Sequence, residues 1–186
     1  SRGLGDVYKR QIINFLPHHI TNFVDMMGGA FNVGANIAGT GKVFYNEKNP
    51  FVFHIIDYIL NNKSSVILEE INAIINKYQL GKANKESYIQ FREYYNSVHM
   101  NERKPLYLFT LTLYSFQHMI RFNSKGDFNV PVGNSGFTDD IMRRICDFRT
   151  KMPIGDLLLG TFEEIDIGEF DKDTLFYFDP PFIITV

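Results

Sequence analysis

The sequence predicts an α/β protein with a parallel sheet, interrupted by a mainly helical insertion. Three observations carry that prediction. Short apolar runs of strand length, Asn22–Met27, Lys42–Glu47 and Leu175–Phe178, each give way to turn-forming or charged residues. Between the second and third of these runs, apolar residues recur mainly at helical spacing. The order of strand, helix, strand, helix, helical stretch and strand is the one that crossover-connected parallel strands require.

The first strand, Asn22–Met27, leads into Gly28-Gly29, and Val33 and Ile37 predict a helix after that turn. Lys42–Glu47 is the second strand. Phe51, Ile55 and Ile59, then Ile67, Ile71, Ile74, Ile75 and Tyr78, give two helices broken near residues 61–65. A helix over about 85–98 and an almost wholly apolar one over 105–119 follow. Residues 121–137, RFNSKGDFNVPVGNSGF, are too rich in glycine, proline and asparagine for either period, and predict a long functional loop or irregular hairpin. Ile141, Ile145 and Phe148 give a short helix, and residues 156–162 and 175–178 give strands.

Composition narrows the class further. The chain has 186 residues, 45% of them hydrophobic and 22% charged, enough to bury a sizeable core without staples. Cys146 is the single cysteine, which excludes a disulfide scaffold, leaves structural zinc without ligands and fits a reducing, cytoplasmic setting. Neither a metal site nor a membrane span is expected. The net charge of −2 hides an asymmetry: residues 77–151 hold 12 Lys+Arg against 7 Asp+Glu, and the remainder holds 7 against 14. A basic middle within an acidic chain is either a footprint for a polyanion or an ordinary solvated surface. His54 and His118 fall on apolar helical faces, where core histidines are expected, and Cys146 reads as a small hydrophobe.

Two constellations could carry chemistry. Asp25 lies in the first strand, Gly28, Gly29, Ala30 and Phe31 follow it, and Glu47 ends the second, 19 positions after Gly28. Glycines at such a turn let backbone approach a ligand, and an acidic residue at about that distance accepts ribose hydroxyls. Gly-Gly after a strand is equally an ordinary tight turn, and no strict GxGxxG is present. The second constellation, Asp179-Pro180-Pro181-Phe182, follows the last apolar run. Neither proline has an N–H, so this edge offers acceptors and favours an amino-group donor, unless the prolines only terminate a strand.

Asp25 to Phe31, the RFNxKGxFNVPxG stretch in a basic insertion, and the terminal DPPF occur in that order, and together they resemble the alpha class of DNA adenine-N6 methyltransferases, the Dam-like enzymes. The resemblance covers residues 12–186. It implies a Rossmann-like S-adenosylmethionine domain over 12–60 and 152–186, with a DNA target-recognition domain inserted at 61–151. Residues 1–11 read as a non-native leader. On this resemblance Asp25, Gly28, Gly29, Ala30, Phe31 and Glu47 are the cofactor contacts, and Asp179, Pro180, Pro181 and Phe182 are catalytic, with Phe182 where most relatives carry tyrosine. Phe31 stands where many carry glycine. In the insertion, Arg121, Phe122, Asn123 and Lys125 are the expected DNA contacts, by base edge, wedge or phosphate.

The expected reaction is methylation of the adenine-N6 amino group in double-stranded DNA, with GATC as the target the resemblance suggests. Cytosine-N4 methylation and a non-catalytic DNA- or nucleotide-binding module are the alternatives. A monomer is expected, and a cognate restriction endonuclease is left open as a partner. Relatives carry a cofactor-contacting segment before Phe23 and strands after DPPF, so the chain as given is expected to be an inactive fragment.

Overall fold

A computed structural model of the chain describes residues 12, 14–17, 19–82 and 84–180. It divides into two compact units, one formed by the residues up to Asp57 and from Phe148 onward, the other by Tyr58–Asp147.

The first unit is a four-stranded parallel sheet: β1 (Phe23–Asp25), β2 (Val43–Glu47), β3 (Ile154–Leu159) and β4 (Leu175–Tyr177), in the order β3-β2-β1-β4. β1 is buried at all three residues, as a central parallel strand covered on both faces must be. It lies in register with β2 on one side, Asp25 opposite Tyr45, and with β4 on the other, Asp25 opposite Tyr177. Strand order therefore reverses direction beside β1. In open α/β sheets that reversal opens the crevice where ligands bind, at the carboxyl ends of the strands.

The predicted helix after Gly29 does not form. Phe31 has a φ of 58°, and only a single 3₁₀ turn, Gly34–Asn36, follows it. The reason is local. The Gly34 N–H, which a helix would give to a carbonyl four residues back, goes instead to the Asp25 carboxylate at 3.2 Å. The buried Phe31 ring meets Tyr45 edge-on at 4.9 Å and lies beneath the loop.

α1 (Pro50–Asn61) buries Phe53, Ile55 and Ile56. In the second unit, α2 (Ser64–Tyr78) buries Ile67, Ile71 and Ile74, the expected stripe. α3 (Lys85–Ser97) is capped by Asn84, whose side-chain oxygen accepts from the Ser87 N–H, and buries Tyr88, Phe91 and Tyr95. α4 (Pro105–Tyr114) buries seven of its ten residues, so it has almost no wet face. It stops short of residue 119 because Ser115 turns extended and bridges Val132, and the left-handed angles of Gln117 and His118 keep the helix from resuming. α5 (Asp139–Asp147) packs on α2.

Three side chains depart from their predicted settings. His54, His118 and Cys146 are exposed, the two histidines lying off the buried faces of their segments. Among the described residues no helix is long and apolar enough to cross a membrane. Ile71 is wholly buried, so Ile71→Ala should destabilise the chain by about 2–4 kcal/mol in urea unfolding. Val66→Ala, at an exposed position of the same helix, should change it by under about 0.5 kcal/mol.

Candidate functional site

The carboxyl ends of β1, β2 and β4 gather the first constellation and the start of the second. β1 ends in Asp25, which is 2% exposed. Its Oδ2 accepts from the Gly34 N–H, while Oδ1 is buried with no hydrogen-bond partner among the described residues. Burial pushes this carboxyl up to about 7, and the negative charges of Asp179 and Glu47 push the same way, against the N–H groups of Gly34 and Met27. A buried acceptor oxygen that completes no hydrogen bond among the described residues suits a cationic or amino-bearing group brought from outside.

The loop after β1 is shaped by the end of β2. The Gly28 N–H donates to the Asn46 carbonyl at 2.8 Å, and the Phe31 N–H to the Gly28 carbonyl at 2.7 Å. A Cβ on Gly28 would stand 2.3 Å from the Tyr45 ring, so only glycine fits there. Glu47 accepts the Gly29 N–H at 2.9 Å on one oxygen and the Asn49 N–H at 2.6 Å on the other. The Tyr45 hydroxyl donates to the Gly29 carbonyl at 2.8 Å. Gly29 itself, at a φ of 49°, has open space where a side chain would be. Ala30 is exposed; Phe31 is wholly buried, its ring turned into the core.

β4 ends at Tyr177, and Asp179 and Pro180 follow as exposed residues. Asp25 lies opposite Tyr177 across β1 and β4, so Asp179, two residues further on, leaves the sheet at the same edge, and its negative charge raises the Asp25 pKa. Pro181 and Phe182 lie outside the described residues.

Sequence reasoning missed Asn46. It is 2% exposed, and its Nδ2 donates to the carbonyls of Met26 and Gly160 at 2.9 and 3.2 Å. One amide thus ties the chain leaving β1 to the chain leaving β3. Its place directly before an acidic strand end was the only signal available in the sequence.

The candidate residues of the insertion lie together on one turn of the second unit. An antiparallel bridge joins Phe122 to Phe128, and their rings meet edge-on at 5.8 Å, leaving Phe122 half-buried. The Arg121 guanidinium donates twice to Asn129, to Oδ1 at 2.8 Å and to the carbonyl at 3.1 Å. The Asn123 side chain accepts from the N–H groups of Lys125 and Asp127 at 2.9 Å and so forms the turn. Lys125 is exposed at its tip. Among the described residues no group of His, Cys, Asp and Glu is arranged to hold a metal ion.

Comparison with known proteins gives a consistent picture. The model of the D12 class N6 adenine-specific DNA methyltransferase family matches residues 8–185. The modification methylase LlaI of Lactococcus lactis subsp. lactis is 43% identical over 180 residues, which are 97% of this chain and 28% of that protein. The type II methyltransferase M.FokI of Planomicrobium okeanokoites is 32% identical over 179 residues, 94% of this chain and 27% of its own length. A DNA adenine methylase of Haemophilus influenzae is 30% identical over 189 residues, 86% and 63% of the two chains. The chain thus spans under a third of the first two relatives.

The state of Asp25 is testable without any ligand. The folded chain holds the Asp25 proton up to about pH 7, whereas an unfolded chain releases it near 3.8. Between those values the native state binds the extra proton, so this group makes stability fall as pH rises. Asp25→Asn carries no such charge. Relative to the parent it should be more stable at pH 8, by about 1–3 kcal/mol, and the gain should vanish near pH 4. Thermal melts across that range check it.

Proposed function

The chain belongs to the D12 class N6 adenine-specific DNA methyltransferase family, and on that premise we propose that it contributes the methyl-transfer site of an enzyme that methylates the adenine-N6 amino group of double-stranded DNA. The observation that carries this reading is the convergence of Asp25, the Gly28-Gly29 loop, Glu47 and Asp179 at the carboxyl edge of a parallel sheet ordered β3-β2-β1-β4.

S-adenosylmethionine fits the first half of that edge. Asp25 offers a buried unpaired acceptor, Glu47 a carboxylate beside the loop, and Gly29 open space where a side chain would stand. All are acceptors or bare backbone, suited to an ammonium group and ribose hydroxyls. When bound, the cofactor supplies a methyl group on a positively charged sulfur. Asp25 and Glu47 would hold it and the exposed Ala30 would border it, with Phe31 packed beneath the loop.

Asp179 and Pro180 meet the other reactant. An adenine turned out of the duplex brings an exocyclic amino group with two N–H donors. The Asp179 carboxylate and the Pro180 carbonyl accept them, and Pro180 and Pro181 add no competing donor. Holding both protons turns the nitrogen lone pair toward the incoming methyl, and one of those protons then leaves toward the Asp179 carboxylate. Phe182 provides a flat face for the base. Positioning supplies most of the rate, with neither metal nor covalent nucleophile required by the step.

We assign the turn at Arg121, Phe122, Asn123 and Lys125, within Tyr58–Asp147, to DNA contact. Relatives named modification methylases support a place in a restriction–modification system, with a cognate endonuclease as partner.

The deciding experiment is transfer of labelled methyl from S-adenosylmethionine to duplexes with and without GATC, run on the chain and on the complete gene product, followed by nucleoside analysis. N6-methyladenine supports the reading, and N4-methylcytosine or no transfer to mixed genomic DNA overturns it. Asp179→Ala should abolish transfer while S-adenosylmethionine binding stays within about threefold, because the carboxylate serves the base. Lys125→Ala should weaken binding to all duplexes alike and lower the slope of log K against log salt by about one; an unchanged slope removes Lys125 from the interface.

A further inference from the structure

The segment Arg121–Val130 is fastened to its unit by residues that no expected site contains. Tyr88, Arg92 and Asn96 recur every four residues along α3 and so form one stripe on its surface. All three end on main-chain atoms of the segment. The Tyr88 hydroxyl donates to the Val130 carbonyl at 2.9 Å, and Arg92 Nη1 donates to the same carbonyl at 3.2 Å. Asn96 makes a two-way pair with Phe128: its Nδ2 donates to the carbonyl at 3.1 Å, and its Oδ1 accepts from the N–H at 2.9 Å. That side chain satisfies the main chain as a neighbouring strand would.

Arg103 completes the fastening from the loop before α4. Its side chain is 6% exposed and its guanidinium lies over the Tyr95 ring at 5.0 Å. Nη1 donates to the Gly126 carbonyl at 2.6 Å, while Nε and Nη2 donate to the carbonyls of Val98 and Asn96, both at 3.0 Å. One rigid fork therefore joins the end of α3 to the tip of the turn, with Asp127 3.8 Å away.

We propose that Tyr88, Arg92, Asn96 and Arg103 are positioning residues for DNA discrimination: they set the turn in its reading conformation before DNA arrives. The proposal rests on the DNA-contact role assigned above to Arg121, Phe122, Asn123 and Lys125. Its physical content is the difference between a fixed and a pliant reader. A turn held at Gly126, Phe128 and Val130 cannot shift to accommodate a wrong base edge, so each mismatch leaves polar groups unpaired. A loosened turn adapts to right and wrong sequences alike and loses the difference between them. Because the bonds go to backbone, they hold the path of the chain whatever side chains the turn presents.

Two measurements on the chain test this: hydrogen–deuterium exchange of residues 121–130 without DNA, and enrichment of sites from a randomised duplex library. Asn96→Ala removes the two-way pair. Arg103→Lys keeps the charge beside Asp127 but lacks the fork. Tyr88→Phe deletes a single hydroxyl and serves if either of the others fails to fold. Exchange in the turn should rise about tenfold in the first two variants and by less in the third. The enrichment of the best site over its single-base variants should fall about fivefold or more, with bulk duplex affinity at low salt within about threefold. Unchanged exchange, or faster exchange with undiminished enrichment ratios, overturns the proposal alone. A library that the parent chain leaves unenriched overturns the DNA-contact role and the proposal with it.

Discussion

β1 is hydrogen-bonded on both edges, to β2 and to β4, and the chain leaves it still pinned: the Met26 N–H donates to the Tyr177 carbonyl and the Gly28 N–H to the Asn46 carbonyl. That double constraint decides where Asp25 sits. A residue at the end of a central strand, under a loop pulled tight on both sides, cannot reach water, and its carboxylate is ionised only at a cost in free energy. The glycines after it follow from the same geometry, because the loop must turn within van der Waals reach of Tyr45. The chain accordingly keeps an unfavourable group where a ligand can relieve it, a common arrangement at sites whose pKa values are displaced.

Both candidate regions are built by the same means. Neither the loop after β1 nor the turn at 121–130 has regular secondary structure to satisfy its main chain, and in each the missing partners are side chains. Glu47 and Asn46 serve the first; Asn123, Asn96 and Arg103 serve the second. Four of those five are amides or carboxylates, whose short planar heads can face a peptide group directly. Such bonds fix backbone without filling the space above it. The surface left beside each loop stays available to a ligand, as the open position over Gly29 illustrates.

The elements were legible wherever a period or a breaker dictated them. Ile67, Ile71 and Ile74 marked a helix face, and the apolar runs marked the strands, because burial enforces both patterns. The helix expected after Gly29 failed for a reason no window of sequence contains: Asp25 captures the Gly34 N–H and Phe31 turns to positive φ. His54 and His118 show the same limit, since a residue one step off an apolar stripe reads almost like one on it, yet lies in solvent. At the site, Glu47 ends β2 and Asp179 follows β4 as the apolar runs suggested, whereas Asp25 ends β1 instead of lying inside a strand that continues to Met27. What the motifs could not show is that Arg121 and Asn123 are already bonded to Asn129 and Asp127 within the turn, because those bonds depend on how the turn closes.

The basic middle of the chain narrows once its cations are placed. Arg143 and Arg144 both bond Asp140 on exposed α5, pairs worth little to stability that nevertheless cancel local charge. Arg92 and Arg103 are committed to main-chain carbonyls, and Lys77 and Lys104 rest over the rings of Tyr78, Tyr94 and Tyr107. These cations, like Arg121 on Asn129, are held in place by the chain's own structure, but bonds to neutral carbonyls and rings fix their positions without cancelling their charge. The unit Tyr58–Asp147 holds 11 Lys+Arg against 9 Asp+Glu, so its net charge is only +2 and its long-range attraction is modest. Recognition by it must depend on a few cations held at defined places, among them Arg121 and Lys125, and so on the rigidity of the turn that carries them.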